Sequence, residues 1–249
     1  MGEVVQAPES GILPLFTSVR ARKMEPELMD RPDLDSRMHA HALKGLARIN
    51  LLSQTGRCIW RAIRSNCQWG DAPLRILDLA SGGGDVAISL ARYATRERMP
   101  VEVEGCDVSA QAVAISTATA KNSGSPVRFF QRDILEAGVP SGYDVVVSTL
   151  FAHHLNEEQT IRMLRACHAS GARHVIFSDL IRSQMGYLLS QFVCRAMTRS
   201  YVVRYDGPRS VAAAYTKDEF SALACKAGLS AHQIEWVWPF RFLFLWHRV

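Results

Sequence analysis

The sequence lacks the paired cysteines of zinc sites and thioredoxin-type redox motifs. Its six cysteines stand at positions 58, 67, 106, 167, 194 and 225, and none has a partner three residues away. Several lie inside apolar runs, as Cys106 does, which favours free, buried thiols in a reducing compartment. We therefore expect a cytoplasmic protein without a metal site.

Long apolar runs are also missing. No stretch approaches the roughly 18 uninterrupted apolar residues of a membrane-spanning helix, and the first residues show no basic region followed by an apolar one. We expect neither a secretory signal nor a stable membrane insertion. The C-terminal "WVWPFRFLFLWHRV" holds three of the five tryptophans and favours buried strands, with a membrane-surface anchor as the alternative.

The chain has little excess charge, no internal repeat and no low-complexity segment. Its formal net charge of +5 comes from basic residues that are spread along the sequence, which argues against a nucleic-acid partner. An anionic small molecule fits this excess equally well. With 249 residues, 48% of them hydrophobic and 21% charged, the chain has enough apolar material for one domain with extensions or two small domains.

From position 74 onward, short apolar runs alternate with helical patterns. This alternation predicts a parallel sheet covered by helices on both faces. The last two apolar runs are separated only by Pro239, so they must form an antiparallel hairpin. The seven predicted strands are contained in "LRILDLA", "VEVEGCDV", "VRFFQRDI", "YDVVVSTLF", "ARHVIFSDL", "SAHQIEWVW" and "FRFLFLWHRV". The predicted fold is α/β, a doubly wound, Rossmann-like, seven-stranded sheet with an antiparallel C-terminal hairpin.

Two segments lie outside this alternation. For residues 1–70 the pattern predicts a helical N-terminal extension: a stretch with several prolines to about residue 32, a helix over Leu34–Leu52 capped by Asp33 or Asp35, and a second helix over 54–66.

Residues 71–249 are predicted to form the sheet domain, with an insertion at about 182–210. The insertion begins with an apolar stripe at helical spacing, formed by Met185, Leu188, Leu189, Phe192, Val193 and Ala196. From the residues alone, such a stripe is typical of a helix that packs on the sheet edge.

The loop after the first strand is rich in glycine. In "RILDLASGGGDVA", Gly82, Gly84 and Ala87 match the dinucleotide pattern G-x-G-x-x-A, and Asp107 ends the next strand where a ribose-binding acid is expected. This pattern alone is compatible with NAD. Asp78, Asp85 and Asp133 add negative charge around the loop, which suits a cationic cofactor better than a pyrophosphate.

Five segments in order resemble the motifs of class I S-adenosylmethionine-dependent methyltransferases. They are "DLASGGGD", "GCDVS", "QRDI", "YDVVVSTLFAHHL" and "YTKDEFSALACKAGL". The resemblance covers residues 74–249 and is strongest to the quinone-biosynthesis and small-molecule (type 11/12) group. Two departures are Ala80–Ser81, where many members have Gly and Cys or Gly, and "HASGARHVIF", where many have a Pro-Gly-Gly turn. The resemblance implies S-adenosylmethionine as cofactor and S-adenosylhomocysteine as product.

The resemblance also implies which residues hold the methionine end of the cofactor. Gly82 and Gly84 let it lie against the backbone, and Asp78 and Asp85 set the loop and the surroundings of the ammonium group. The loop residues Ala80 and Ser81, and Ser148 and Thr149 at the end of the fourth strand, complete this part of the predicted site.

The adenosine end is implied to bind at the next two strand ends. Asp107 accepts hydrogen bonds from the ribose hydroxyls and Val108 lies against the adenine. Asp133 accepts from the adenine amino group, and Ile134 covers the other face of the ring. From the residues alone, Asp107 also reads as a helix cap and Asp133 as a turn acid.

His153 and His154 are the candidate catalytic bases, with His154 slightly favoured, because they follow the fourth strand at the ligand-binding edge and histidine titrates near neutral pH. A structural or cofactor-lining role is the alternative for this pair. His39 and His41 are weaker candidates on the N-terminal helix. Arg204, Tyr205, Asp206 and Arg209 either orient a polar end of the acceptor or stabilise a loop.

The predicted function is methyl transfer from S-adenosylmethionine to a small, apolar or aromatic acceptor. The resemblance to small-molecule members implies oxygen as the first choice of acceptor atom and carbon as the second. It also implies that the insertion is a lid, the interpretation we favour over a helix on the sheet edge, and that the lid and the N-terminal extension together enclose the acceptor. Two alternatives remain. One is an NAD(P)-dependent oxidoreductase on the same sheet, although no Tyr-x-x-x-Lys pair supports it. The other is a non-catalytic, methyltransferase-like partner protein. The oligomeric state stays open.

Overall fold

The computed structural model describes residues 19–29, 31 and 34–248 and contains a seven-stranded mixed sheet. The strands are β1 (Leu74–Leu79), β2 (Val101–Asp107), β3 (Arg128–Gln131), β4 (Val145–Thr149), β5 (His174–Leu180), β6 (Gln233–Val237) and β7 (Arg241–His247). Their order is β3-β2-β1-β4-β5-β7-β6. The first five strands are parallel, and β7 pairs antiparallel with both β5 and β6. The predicted fold class is confirmed.

Strand β4 shows why these runs are nearly all apolar. Val145 and Val147 pack in one hydrophobic cluster, and Val146 between them packs in another. Because successive side chains of a strand point to opposite faces, a strand covered on both sides must be apolar throughout. The strand order reverses between β1 and β4, because β2 and β3 follow on one side of β1 while β4 and β5 lie on the other. This reversal places a crevice at the carboxyl ends of β1 and β4.

Eight helices are found within the described residues. They are α1 (Ser36–Leu52), α2 (Thr55–Asn66), α3 (Asp85–Glu97), α4 (Ala110–Ser123), α5 (Glu157–Ala169), α6 (Gln184–Met197), α7 (Tyr201–Ala213) and α8 (Lys217–Lys226), with a 3₁₀ turn at Ala152–His154. Asp35 caps α1 by accepting from the N–H groups of Arg37 and Met38. The other proposed cap, Asp33, lies outside the described residues, as do Pro8 and Pro14 of the N-terminal stretch. In the part of the chain described, no helix is long and apolar enough to span a bilayer.

The insertion differs from its prediction in two ways. The stretch "SYVVRYDGPRS", considered as a loop, is mostly the helix α7, which continues through Pro208. Ser200 caps it, and its largely buried length packs on α6, so tertiary contacts outweigh the helix-breaking tendency of proline. In α6, Met185 and Phe192 of the predicted apolar stripe are exposed, whereas Tyr187 and Cys194 are buried.

The buried side of α6, which carries Cys194, packs closely against α7. A Cβ at Gly207 of α7 would clash with Cys194 Sγ of α6, so glycine at this position permits the close approach of the two helices. Leu189 and Val193, also of the stripe, line a cavity instead of the protein core. The insertion therefore forms one wall of that cavity.

Candidate active site

A cavity of about 860 Å³ lies at the carboxyl edge of the parallel strands. Its walls come from the glycine loop, the ends of β2 and β4, helices α1, α6 and α7, and residues 27, 29 and 31. Its volume falls in the upper part of the roughly 300–1,000 Å³ typical of small-molecule sites. The predicted residues that line it are Ala80, Ser81, Gly82, Asp85, Asp107, Val108, Asp133, Ile134, Thr149, His153 and His154.

The glycine loop has the left-handed conformations that its residues suggested. Gly82 has φ +52° and Gly84 φ +77°, and Ala80 adopts φ +51° although it carries a Cβ. A Cβ at Gly84 would meet Phe129 at 2.6 Å, so this glycine permits packing of α3 against β3. Among the described residues that line the cavity, Gly82 and Gly83 appear and Gly84 does not.

Asp107 connects the glycine loop with the loop after β2. Its Oδ2 accepts from the Gly82 N–H at 2.9 Å and its Oδ1 accepts from the Ser109 N–H at 2.9 Å. These bonds fix the carboxylate at the cavity wall, next to the exposed Val108. Each oxygen keeps further acceptor capacity for a ligand hydroxyl.

Asp133 and Ile134 stand at the neighbouring strand end. Asp133 Oδ1 accepts from the Leu135 N–H at 2.9 Å and the Glu136 N–H at 3.3 Å, so the residue holds a turn while it also lines the cavity. Ile134 is buried and presents an apolar surface to the same space.

Two predicted residues lie behind the cavity wall. Asp78 is buried, and burial first, then repulsion by Asp85, raises its pKa well above its ordinary value. Ser148 is also buried, and its hydroxyl donates to the Leu79 carbonyl at 3.3 Å. Neither is among the described residues that line the cavity.

Asp85 is bound by residues that sequence reasoning did not select. Asn50 of α1 donates to Asp85 Oδ2 at 3.0 Å, and its own Oδ1 accepts from the buried Arg241 at 3.3 Å. Burial raises the pKa of Asp85, and the hydrogen bond from Asn50 opposes this effect. Burial also lowers the pKa of Arg241, to about 10. The contacts tie α1 to the start of α3.

Helix α1 covers the glycine loop, and each of the two contributes one buried polar atom that has no hydrogen-bond partner among the described residues. Leu43 lies 3.6 Å from the positions of a Cβ at Gly82 and at Gly83. The unpartnered atoms are Ser81 Oγ and His39 Nδ1, and both residues are buried and line the cavity. Buried polar groups are normally satisfied, so these atoms fit a site whose ligand supplies partners. His41 is exposed.

His153 forms a buried pair with Asp179 of β5. Its Nδ1 lies 2.6 Å from Asp179 Oδ1, and Asp179 Oδ2 accepts from the N–H groups of Phe151 and His153. Burial would raise the pKa of Asp179, but attraction to His153, the hydrogen bond with its ring and the hydrogen bond from the Leu180 N–H outweigh this effect and lower the pKa. A charged Asp179 accepts the Nδ1 proton and leaves Nε2 of His153 on the side away from β5.

Glu27 stands opposite both histidines. Its Oε1 lies 3.9 Å from His153 Nε2 and its Oε2 lies 3.9 Å from His154 Nε2. Oε1 also accepts from the Ser210 hydroxyl at 2.6 Å. Glu27 and His153 are buried, so the cluster forms an enclosed polar end of the cavity.

Glu27 belongs to residues 19–29, a non-helical segment that we call the N-terminal strap. Asp206 of α7 accepts from the N–H groups of Leu28 and Met29 at 2.8 and 3.1 Å. Arg22 donates to the carbonyls of Ala213, His153 and Leu155 and to the Tyr215 hydroxyl. The strap is thus bound on both sides of Glu27. Arg209, proposed for the acceptor end, binds Glu25 at 3.1 Å and so holds the strap as well.

The comparisons with known proteins agree with this geometry. A family model described as a methyltransferase domain matches residues 76–171. The demethylmenaquinone methyltransferase of Thermus thermophilus is 35% identical over 129 residues, which are 51% of this chain and 56% of that relative. The matched region therefore spans little more than half of that relative's length.

Solved structures extend the likeness to the whole fold. The human N-acetylserotonin methyltransferase in complex with S-adenosylmethionine has a TM-score of 0.61 at 14% identity, covering 86% of this chain and 56% of that chain. A methyltransferase from Aquifex aeolicus has a TM-score of 0.60 at 14% identity, covering 87% of this chain and all of that chain. Residues 76–171 thus match a methyltransferase domain, and the chain as a whole has the fold of S-adenosylmethionine-dependent methyltransferases.

Proposed function

We propose that the protein transfers a methyl group from S-adenosylmethionine to a hydroxyl group of a small, apolar or aromatic acceptor. The observation that carries this proposal is a single cavity with a loop-and-acid end and a histidine–glutamate end. The glycine loop, Asp107 and Asp133 line one end, and His153, His154 and Glu27 line the other. Cofactor and acceptor can therefore meet within one cavity.

The loop-and-acid end fits a cofactor with cationic groups. Asp85, Asp107 and Asp133 all line it, and Ser81 Oγ is buried there without a protein partner among the described residues. A pyrophosphate would be repelled by three acids, whereas the ammonium and sulfonium of S-adenosylmethionine would be attracted. The bound cofactor supplies a methyl group on sulfur that is ready for displacement.

Apolar side chains surround the space between the two ends. They come from α1, α6 and α7 and include Leu46, Ile49, Leu189, Val193, Val203 and Val211. Such walls favour an apolar or aromatic body and give no basic surface for a nucleic acid. We infer that residues 1–70 and the insertion at 182–210 act together as the acceptor cap of the domain at 71–249.

His153 is the proposed general base. Asp179 holds its Nδ1, so Nε2 is the basic nitrogen and lies at the polar end of the cavity. Nε2 takes the acceptor's hydroxyl proton while the oxygen–methyl bond forms and the sulfur–methyl bond breaks. The oxygen becomes an ether and the cofactor becomes a neutral thioether. His154 is the secondary candidate, because its side chain is 22% exposed whereas that of His153 is 4% exposed.

All six cysteines lie within the described residues and are free thiols. This state supports the proposal of a cytoplasmic, reducing location.

The proposal is tested by incubating the purified chain with methyl-labelled S-adenosylmethionine and a panel of phenols, hydroxyquinones and aliphatic alcohols. We expect label in an ether product of an aromatic member. His153→Gln should lower kcat by about 10²-fold or more, while His232→Gln, a change at a histidine bonded to Ser221, leaves it unchanged. Label on carbon, or full activity of His153→Gln, would contradict the proposal.

A further inference from the structure

We propose that Glu27, His153 and His154 form a binding site for a divalent transition-metal ion such as Zn²⁺. The sequence predicted no metal site, because its ligands come from segments 126 and more residues apart. In the fold, one ligand atom from each residue lies within 4.8 Å of the others. Two imidazoles and a carboxylate are a ligand set that suits zinc and related ions.

The distances between the Glu27 carboxylate and the two imidazoles fit ligands of a shared metal ion better than they fit hydrogen bonds. Glu27 lies 3.9 Å from Nε2 of each histidine, which is too long for a hydrogen bond. Ligands bound at about 2.0–2.1 Å in a tetrahedral site are about 3.3 Å apart. A closing movement of about half an ångström would bring both pairs to that spacing.

The surroundings of His153 are those of a metal ligand. A ligating histidine usually donates its second ring N–H to a carboxylate, which fixes the tautomer and the direction of the ring. Asp179 accepts from Nδ1 of His153 at 2.6 Å and is itself held by two backbone N–H groups. The Ser210 hydroxyl donates to Glu27 Oε1 at 2.6 Å and orients that carboxylate in the same way.

Charge balance also favours a cation at this position. Glu27 and Asp179 are two buried carboxylates around the histidine pair, and burial of charge is costly without compensation. A divalent ion bound by three protein groups would compensate them and keep one position open. All three groups line the cavity, so the open position faces the space proposed for the acceptor. An acceptor oxygen is the ligand that we assign to it.

This role toward the acceptor rests on the proposed function, whereas ion binding does not. An ion on His153 Nε2 and a proton on that atom exclude each other. Ion-bound protein would therefore not use His153 as its base, and the two forms can be separated by measuring metal and cofactor binding on the same samples.

The test is titration of chelator-treated, full-length protein with Zn²⁺ by calorimetry and with Co²⁺ by visible absorption. We expect one equivalent to bind, with Co²⁺ bands of a four- or five-coordinate nitrogen–oxygen site and no thiolate charge-transfer band. Glu27→Gln and His154→Ala should each weaken binding at least tenfold. The control His232→Gln should bind as the parent does.

Absence of stoichiometric binding, parent-like affinity in Glu27→Gln, or a thiolate band that reports cysteine ligands would each overturn the proposal. Thermal unfolding gives a second readout, since Zn²⁺ should raise the Tm of the parent chain and not that of Glu27→Gln. S-adenosylhomocysteine affinity is measured in parallel. If S-adenosylhomocysteine binds and the metal does not, the metal site is wrong and the proposed function stands. If the metal binds and S-adenosylhomocysteine does not, the metal site stands and the proposed function is wrong.

Discussion

Asp179 Oδ1 lies 2.6 Å from His153 Nδ1, and both side chains are buried at the carboxyl end of the sheet. Strand β5 supplies the acid and the 3₁₀ turn after β4 supplies the histidine, so the parallel sheet itself sets the distance. We expect Asp179→Asn to lower kcat for methyl transfer at least tenfold, because the amide does not hold the same tautomer firmly. S-adenosylhomocysteine affinity should stay unchanged; a parallel loss of affinity would point to a purely structural role.

The same pair predicts how stability depends on pH. The pKa of Asp179 is lowered in the fold from an ordinary value of 3.8, so its charged form is stabilised. That contribution is present above the ordinary pKa and is lost as pH falls through the folded pKa. Asp179→Asn should therefore be less stable than the parent at pH 6–8, with a difference that shrinks below about pH 4. Denaturant unfolding across this range measures it, and a constant difference would contradict it.

Asp107→Ala should weaken S-adenosylhomocysteine binding at least tenfold, about 1.4 kcal/mol. The change removes the proposed acceptor of the ribose hydroxyls and also the acceptor for the Gly82 and Ser109 N–H groups. Calorimetric titration measures the affinity. Asp218→Ala, a change at an exposed residue of α8, is the control and should bind like the parent. Equal affinities of the two variants would remove Asp107 from the site.

Asp78 predicts the opposite pH dependence from Asp179. Burial, with repulsion by Asp85, raises its pKa. The fold therefore favours the protonated form, and that contribution is present below the ordinary pKa and is lost as pH rises through the folded pKa. Asp78→Asn should gain free energy of unfolding relative to the parent as pH rises, and the two should converge in acid. A gain that is largest in acid would show that the carboxylate is stabilised, contrary to this account.

Ala80 has φ +51°, a left-handed conformation that costs a residue with a Cβ about 1–2 kcal/mol. Ala80→Gly relieves this strain but increases the freedom of the unfolded chain, so we expect a net gain of about 0.5–1 kcal/mol in the free energy of unfolding. Ala91→Gly, within α3, is the matched control and should lose about 1 kcal/mol. Denaturant unfolding at neutral pH measures both variants, and a loss in Ala80→Gly would contradict the argument.

The sequence predicted the sheet because strands buried on both faces are recognisable as short apolar runs. Asp107 and Gly82, both selected from the sequence, lie together because the carboxyl ends of neighbouring parallel strands meet at one edge. Glu27 was not predicted, since the strap that carries it has no periodicity and is held beside the histidines by contacts of Leu28 with Asp206 and of Arg22 with Leu155. Asp179 was not predicted either, because this acid lies inside the apolar stretch "HVIFSDL" and meets its partner His153 only in the fold.

The central claim, that the glycine loop and its acids bind S-adenosylmethionine, is tested most directly by calorimetric titration with S-adenosylhomocysteine, with NAD and NADP alongside. We predict micromolar binding of S-adenosylhomocysteine and none of the nicotinamide nucleotides. Binding of a nicotinamide nucleotide alone would contradict the account and favour an oxidoreductase on the same sheet. Binding of none of the three would contradict it as well and favour a non-catalytic relative.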